Sequence, residues 1–308
     1  MRYSDKPHKI LKVRKDKVSY AVTVFAVVFV SIFALMCLLP FMMMVSASFS
    51  DENIISVQGV GIFPKGFNTE AYKILLKTPK YLVGAYVVTI TTTAAGAGLT
   101  LLLTSSLAYP LSVPGLKYRN HIAFFAYFTM LFNGGLVPTY ILTTRFLQMR
   151  NSIWVLIIPG ALNAYNMFLM RNYFASIPPS LSESAKIDGA TDVRIYWSII
   201  LPLAKPILAT IGLFAAMGYW NEWYRVLLYI DRPNLFTLQF LIMRLQQQAD
   251  FLSSSMSAAA RAALGNVAIP TLGVRLATAM ISIGPIIMLY PLLQKYFIKG
   301  IMVGSVKG

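Results

Sequence analysis

Two groups of uncharged polar and aromatic side chains lie inside otherwise apolar stretches of this 308-residue chain. The first group is Asn163, Tyr165 and Asn166; the second is Tyr219, Trp220, Asn221 and Trp223; Asn133, before a Gly-Gly pair, is a weaker candidate. Amides offer hydrogen bonds and flat rings offer stacking surfaces, which suits a solute without strong charge. We therefore predict that these residues line a solute path. An interfacial aromatic belt and helix–helix asparagine bonds are the structural alternative.

Other kinds of site chemistry find little support in the sequence. Cys37 is the single cysteine, and His8 and His121 are far apart, so no metal cluster is predicted. No GxxxxGK[ST] motif for binding nucleotide phosphates is present. Glu222 is the one acidic residue within a predicted span, and Arg225 follows three residues later as a structural partner. We predict neither a catalytic centre nor a cofactor.

The composition places the chain in a lipid bilayer. Hydrophobic residues make up 57% and charged residues only 12%, which leaves too little polar surface for a water-soluble protein of this length. The net charge of +16 does not indicate nucleic acid, because the basic residues form short clusters between apolar runs, as positive-inside topology requires.

Six windows with almost no charged residues predict an all-α membrane protein with six transmembrane helices, because a helix needs about 20 apolar residues to cross the hydrocarbon. The windows lie between Lys17 and Asp51, Lys80 and Lys117, Arg119 and Arg145, Arg150 and Arg171, from about Pro206 to Trp223, and between Arg275 and Lys295. The first window is too long for a secretory signal.

The even number of spans and the basic tail (residues 1–18) predict that both termini are cytoplasmic. Two outer segments, residues 51–80 and 231–266, are long enough to carry structure, and FTLQFLIMRLQQQ predicts a short amphipathic helix in the second. That helix is a partner surface, or else it lies on the membrane or caps the bundle. No repeat or soluble domain is visible, so residues 1–308 form one membrane domain.

A charged segment, ESAKIDGATDVRIYWSIILPLAKP (residues 183–206), separates the fourth and fifth windows. Ser180 stands three residues before Glu183, which predicts a capping box and a new helix. Asp188-Gly189 then predicts a sharp reversal, and Thr191 or Asp192 caps a second helix that meets Pro202 and Pro206. The residues alone leave two interpretations open: a connecting loop, or a bent peg that inserts into a groove.

The spacing of this segment resembles the EAA motif of permease subunits in bacterial binding-protein-dependent ABC importers. The matching positions are Glu183, Ser184 and Ala185, then Gly189, and then Ile199, Leu201 and Pro202, with Ser184 in place of the usual alanine. The resemblance implies that residues 181–200 are coupling helices, with Glu183 facing basic residues of an ATPase. The coupling site it implies comprises Glu183, Ser184, Ala185, Asp188, Gly189, Ala190, Leu201 and Pro202.

Further stretches resemble the carbohydrate-uptake branch, maltose-type second permeases and polysaccharide permeases: GGLVPTYIL (134–142), NSIWVLIIPGALNAYNMFLMRNYF (151–174) and QKYFIKGIMVGSVKG (294–308). The resemblance implies a bacterial cell-membrane complex with a second, different permease, two cytoplasmic ATPases and an extracytoplasmic solute-binding lipoprotein. It implies a sugar or oligosaccharide as substrate, although importers of other solutes share the motif. An ion-coupled secondary transporter is the main rival, but it would need a carboxylate deep in the membrane.

Overall fold

The computed structural model describes residues 17–77, 79–255, 272–284 and 287. Over these residues the chain is helical and contains no β-strand; a single antiparallel bridge joins Ser50 and Phe67. Most of the basic tail, the last third of the outer loop 231–266, about half of the sixth window and the C-terminal stretch 294–308 lie outside the described residues.

The described chain forms fifteen α-helices. They are α1 Lys17–Ser48, α2 Glu52–Gln58, α3 Glu70–Lys77, α4 Pro79–Ser112, α5 Arg119–Leu131, α6 Leu136–Ile141, α7 Trp154–Ile157, α8 Ala164–Ala175, α9 Pro179–Ile187, α10 Asp192–Ile195, α11 Leu201–Leu203, α12 Lys205–Trp220, α13 Tyr224–Tyr229, α14 Leu238–Ser255 and α15 Leu272–Gly284. Leu142–Phe146 and Tyr196–Ile200 are π-helical turns, and Ile158–Gly160 and Pro233–Leu235 are 3₁₀ turns.

Two helices are long and apolar enough to cross a bilayer without a break: Tyr20–Ser48 in α1 and Tyr81–Ser112 in α4. At about 1.5 Å per residue, each exceeds the roughly 30 Å of hydrocarbon. The first two windows are therefore confirmed as apolar helices of spanning length. The apolar window of α1 buries nothing against the rest of the described chain, whereas a third of the α4 window is buried.

The third window is bent, and a second bend lies just before the fifth window. The axes of Arg119–Leu131 and Leu136–Phe146 meet at 111°, and those of Asp192–Leu203 and Lys205–Trp220 meet at 81°. The first bend falls at Asn133-Gly134-Gly135, where Gly135 has φ +86°, a left-handed conformation that favours glycine. Counting each bent pair as one span gives up to four spans among the described residues.

The prediction of one continuous helix from Arg150 to Arg171 is wrong. The window contains the single turn α7, a 3₁₀ turn at Ile158–Gly160, and then α8, which begins at Ala164. Pro159 has no N–H for the helical ladder and Gly160 disfavours helix, so the backbone breaks at this pair. The apolar composition therefore located this segment but did not predict the break in its helix.

α4 is the central helix of the fold and packs most extensively against α12 and α8. The main core cluster joins these three helices and the segment before α12: Ala108, Leu111, Met167, Met170, Phe174, Ile195, Ile200, Ala204, Ile207 and Ile211. A second cluster joins α4, α7, α13 and α14 around Val155, Leu156 and Val226. The helix predicted in FTLQFLIMRLQQQ is confirmed and is longer than expected, because α14 extends to Ser255.

Candidate functional site

The segment from Pro178 to Pro206, here the bent segment, contains every residue of the predicted coupling site. Its first helix, α9, begins at Pro179, and the preceding Pro178 has extended dihedrals. No side chain caps α9, so the predicted capping box between Ser180 and Glu183 is wrong. Pro179 is pre-organised for the first helical position because its φ is fixed near −65°, and this moves the helix start one residue ahead of Ser180.

α9 ends in a Schellman motif centred on Gly189. The Gly189 N–H donates to the Lys186 carbonyl (3.0 Å) and the Ala190 N–H donates to the Ala185 carbonyl (2.8 Å). Gly189 has φ +79°, which completes the predicted reversal after Asp188. Ala185 and Ala190 are half-buried against the main core cluster. The small residues of the motif therefore form the inner side of the turn.

The second helix of the bent segment is capped by Thr191, one of the two caps predicted. The Thr191 hydroxyl accepts from the Arg194 N–H at 3.3 Å, and the chain then continues through α10 and the π-helical turn Tyr196–Ile200. An ion pair between Lys186 Nζ and Asp192 Oδ1 (2.9 Å) bridges the two helices. The hydrogen bond to the Asp192 carboxylate, followed by its charge, raises the pKa of Lys186.

The inner face of the bent segment is fastened to α4. Ile195 and Ile200 are buried in the main core cluster, and the buried Tyr196 hydroxyl lies 2.7 Å from Ser105 Oγ. The rings of Tyr196 and Tyr109 have centroids 5.3 Å apart. Leu201 packs against the same cluster, and Pro202 is exposed at the start of α11. The segment is therefore held firmly at its base.

The outer face of the bent segment is open. Glu183 and Ser184 are exposed on α9, together with the apolar side chain of Ile187, which is 86% exposed, and Val193, which is 68% exposed. Among the described residues Glu183 has no ion-pair partner. This combination of a free carboxylate and exposed apolar side chains differs from a solvated connecting loop, where polar residues would cover the surface.

A polar cavity of about 180 Å³ lies between α4, α8 and α12. It is lined by Thr100, Gly160, Asn163, Asn166, Phe214, Ala215, Gly218, Tyr219, Glu222 and Arg225. Three of the predicted path residues, Asn163, Asn166 and Tyr219, therefore meet in one place. Asn163 is also the N-cap of α8, since its side-chain oxygen accepts from the Asn166 N–H at 3.1 Å.

The predicted pair of Glu222 and Arg225 is confirmed, and it forms part of the cavity wall. Arg225 Nη1 lies 2.9 Å from Glu222 Oε2, and both side chains are mostly buried. The same nitrogen donates to the Leu156 carbonyl at 3.3 Å, and the Tyr219 hydroxyl donates to the Ile157 carbonyl at 2.7 Å. These contacts tie the wall formed after α12 to the broken fourth window. Because the pair is satisfied, the cavity wall is polar without net charge.

Two glycines make space for these side chains. A Cβ at Gly96 would lie 2.5 Å from the Tyr219 ring, and a Cβ at Gly160 would lie 2.8 Å from Arg225 Nη2. Neither position was predicted from the sequence, because a glycine inside an apolar window shows no sign of what packs against it. Thr100 and Phe214 were missed for the same reason: their types are common on any span.

The other predicted path residues do not line this cavity. Trp220 is 5% exposed and packs with Ala85 and Leu238, so its ring belongs to the protein interior. Asn221 accepts at its side-chain oxygen from Gln239 Nε2 at 3.2 Å. Tyr165 and Trp223 are exposed, and Asn133 lies in the break between α5 and α6, where its side chain accepts from the Gly135 N–H.

Taken together, the fold and these two sites define a helical membrane permease. Known proteins agree with this. The family model of the binding-protein-dependent transport system inner membrane component matches residues 10–303. The protein LplC of Bacillus subtilis is 38% identical over 88% of this chain and 90% of its own length. The polygalacturonan/rhamnogalacturonan transport system permease protein YtcP of the same organism is 36% identical over 91% and 96%.

One solved structure adds a match in three dimensions. A chain of a bacterial ABC transporter involved in the import of the acidic polysaccharide alginate aligns with a TM-score of 0.79 and 32% identity, covering 92% of this chain and 98% of its own. The chain described here belongs to the family of inner membrane components of binding-protein-dependent transport systems. The resemblance inferred from residues 183–206 is confirmed.

Proposed function

We propose that this chain is the permease subunit that forms half of a translocation path for a sugar or oligosaccharide. An extracytoplasmic binding protein delivers the solute, a second permease completes the path, and two separate cytoplasmic ATPases supply the energy. Both chain termini lie in the cytoplasm, and the chain makes six passes, with the broken region 154–175 as the fourth and α15 at the start of the sixth.

The observation that carries this proposal is the two-sided character of the bent segment. Its outer face presents the carboxylate of Glu183 beside the exposed side chains of Ile187 and Val193, which suits a groove with basic and apolar walls. On its inner face Ile195 is buried in the core, and the Tyr196 hydroxyl is hydrogen-bonded to Ser105 of α4. The exposed outer face, which suits a protein partner, is therefore connected directly to the helices around the polar cavity.

This arrangement supplies a mechanism for coupling. When two ATPases close around nucleotide, they displace the bent segment as a unit, because the Schellman turn and the Lys186–Asp192 ion pair keep its two helices at a fixed angle. The displacement passes through Leu201 and Pro202 to α12, which carries one wall of the cavity. The bundle is thereby biased between inward-open and outward-open states.

Sugar as the substrate class is supported by the cavity and by the relatives. Amide groups at Asn163 and Asn166 and the rings of Tyr219 and Phe214 supply the hydrogen bonds and apolar faces that a polyhydroxyl solute uses. At about 180 Å³ the cavity is smaller than the roughly 300–1,000 Å³ of typical small-molecule sites, as expected when a second permease provides the opposite wall. Relatives named for galactooligosaccharide and arabinooligosaccharide transport also match this chain.

The orientation can be tested with the single native cysteine removed. In a Cys37→Ser background, Ile187→Cys and Phe63→Cys provide two exposed thiols, one on the bent segment and one in the outer loop 51–80. A membrane-impermeant maleimide is expected to label residue 63 in intact cells and residue 187 only after permeabilisation. Labelling of residue 187 in intact cells would place the bent segment outside and remove the basis for coupling.

The coupling role is tested by Glu183→Arg, with Glu70→Arg as a control that reverses an exposed acidic residue in the outer loop. The complex is purified through a tag on this chain, and co-purifying ATPase is measured with the yield of inserted permease. We expect ATPase recovery to fall about tenfold or more for Glu183→Arg alone, because a like charge now faces basic residues. Full recovery and normal uptake would contradict the proposal.

The substrate class is tested by ATP turnover of the reconstituted complex with a panel of loaded binding proteins: neutral oligosaccharide, uronate oligosaccharide, amino acid and metal. Stimulation by a carbohydrate-loaded protein is expected. Asn166→Ala is expected to lower solute uptake without lowering Tm, whereas Asn163→Ala lowers both, because it also removes an N-cap worth about 0.5–2 kcal/mol. Stimulation only by a non-sugar would retain the importer assignment and overturn the sugar.

A further inference from the structure

A basic cavity lies just beyond the end of α4, separate from the polar cavity and from the bent segment. It measures about 260 Å³ and is lined by Gly115, Leu116, Lys117, Arg119, Asn120 and His121. Two permanent cations, an amide and an imidazole therefore line one concave surface, and no carboxylate is among the lining residues. This cavity plays no part in the proposed coupling or in the proposed solute path.

The positive charge in this cavity is not neutralised by the described part of the chain. The buried Nε of Arg119 has no hydrogen-bond partner there, and neither Lys117 nor Arg119 forms an ion pair. Arg171 lies near enough to Arg119 for their charges to repel, and its own Nε is committed to the Leu111 carbonyl at 2.9 Å. Leaving a buried guanidinium nitrogen without a hydrogen-bond partner costs free energy, and a bound anion would remove that cost.

The backbone adds to the attraction for an anion. Arg119 is the first residue of the thirteen-residue helix α5, and Tyr118 at its N-cap provides no side-chain hydrogen bond. The Arg119 N–H itself donates to the Leu116 carbonyl at 3.2 Å, so the helix contributes the positive end of its dipole, which lies in the same region as the two cations.

The position of the cavity identifies the anion. The cavity lies around the short loop 113–118, between the apolar stretch of α4, which ends at Ser112, and the third window, which begins at Arg119. A short connection between two apolar segments places it near the headgroups. Leu116, which lines the cavity, is 40% exposed, and nearby in sequence Tyr118 is 58% exposed and Phe125, one helical turn after His121, is 70% exposed. An anion held here has apolar surface beside it, which suits a molecule with acyl chains better than a free ion.

We propose that this cavity binds the phosphate of an anionic phospholipid headgroup, with Lys117 and Arg119 as its main ligands and the acyl chains lying along α5. Under the proposed orientation the lipid is in the inner leaflet, although the site itself does not depend on that orientation. Each basic residue near an anionic membrane surface contributes roughly 1 kcal/mol, which is about fivefold in affinity, so removing both predicts about 25-fold weaker binding.

The test compares Lys117→Gln/Arg119→Gln with the matched variant Lys73→Gln/Arg232→Gln, which removes one exposed lysine and one exposed arginine elsewhere. Each full-length chain is purified with its complex into nanodiscs of phosphatidylcholine, and the binding of phosphatidylglycerol is titrated by native mass spectrometry. Only the first variant is expected to lose the tight phosphatidylglycerol site. Arg119→Lys, which keeps the charge, is expected to retain most of the phosphatidylglycerol binding. Elution of each variant as a single species in size-exclusion chromatography checks that it is folded.

Three results would overturn the proposal. Equal phosphatidylglycerol binding by both double variants would show that the cavity is not the lipid site. Displacement of the lipid by inorganic phosphate at millimolar concentration would show a free-phosphate site instead. Unchanged lipid binding combined with loss of co-purifying ATPase from the first variant would show that the cations face a protein partner.

Discussion

The turn at Gly189 provides the sharpest test of the bent segment, because a substitution there changes the backbone strain without introducing a steric clash. Its φ of +79° disfavours a side chain, yet a Cβ at this position would meet nothing within 4 Å. Gly189→Ala therefore introduces left-handed strain without a clash, at a cost of about 1–2 kcal/mol. The population of the Schellman turn relative to other conformations falls about 5- to 30-fold. Gly189→Asn is the matched control, since asparagine tolerates this conformation better.

The assay is titration of the reconstituted permease with its purified ATPase, read as the apparent Kd and as ATP turnover. If the ATPase recognises only the bent form, Gly189→Ala weakens the apparent affinity by up to that same factor, and Gly189→Asn weakens it less. Wild-type affinity for Gly189→Ala, with a measured loss of thermal stability, would refute the reasoning, because the turn would then be strained without consequence for the partner. A larger loss for Gly189→Asn than for Gly189→Ala would refute it equally.

Three further predictions concern the packing behind the two sites. Gly96→Ala is expected to lower the stability of the purified chain by about 1–3 kcal/mol because its Cβ overlaps the Tyr219 ring, whereas Gly98→Ala, with open space around it, is neutral or slightly stabilising; equal Tm values would contradict this. Ser105→Ala leaves the buried Tyr196 hydroxyl unpaired at about 1–3 kcal/mol, whereas Tyr196→Phe costs less because the Ser105 hydroxyl keeps its bond to the Leu101 carbonyl at 2.6 Å; the double variant is less destabilised than the sum of the two, and strict additivity in a double-mutant cycle would show that they do not interact. Lys186, whose pKa is raised by its ion pair, contributes stability that is fully present below its ordinary pKa of 10.5 and is lost as pH rises through the raised value, so the Tm difference between wild type and Lys186→Met disappears in strong alkali.

Some features of this protein follow from short stretches of sequence. The first two spans were predicted because more than twenty consecutive uncharged residues can satisfy their backbone only as helix in a bilayer. The reversal at Gly189 and the cap at Thr191 were predicted because both depend on residues within three or four positions of one another. The same local reasoning failed at Ser180, where two local rules competed and the proline at position 179 set the helix start.

Other features depend on residues far apart in the chain. Asn163, Asn166 and Tyr219 share a cavity only because α8 and α12 both pack against α4 and against each other. Trp220, adjacent to Tyr219 in sequence, points into the protein interior instead, since neighbouring residues on a helix face directions about 100° apart. No pattern in the sequence separates these two aromatic residues into lining and core.

The sequence by itself determined that this is a helical membrane protein, where its apolar segments lie, and that one charged segment between them turns sharply at a glycine. Those properties follow from hydropathy and from backbone preferences that act over a few residues. Only the tertiary structure decided that the fourth window is broken, that Glu222 and Arg225 close a cavity with the amides of α8, and that Tyr196 reaches Ser105 across 91 positions. Such contacts depend on which helix faces meet, and that is set by the packing of the whole bundle.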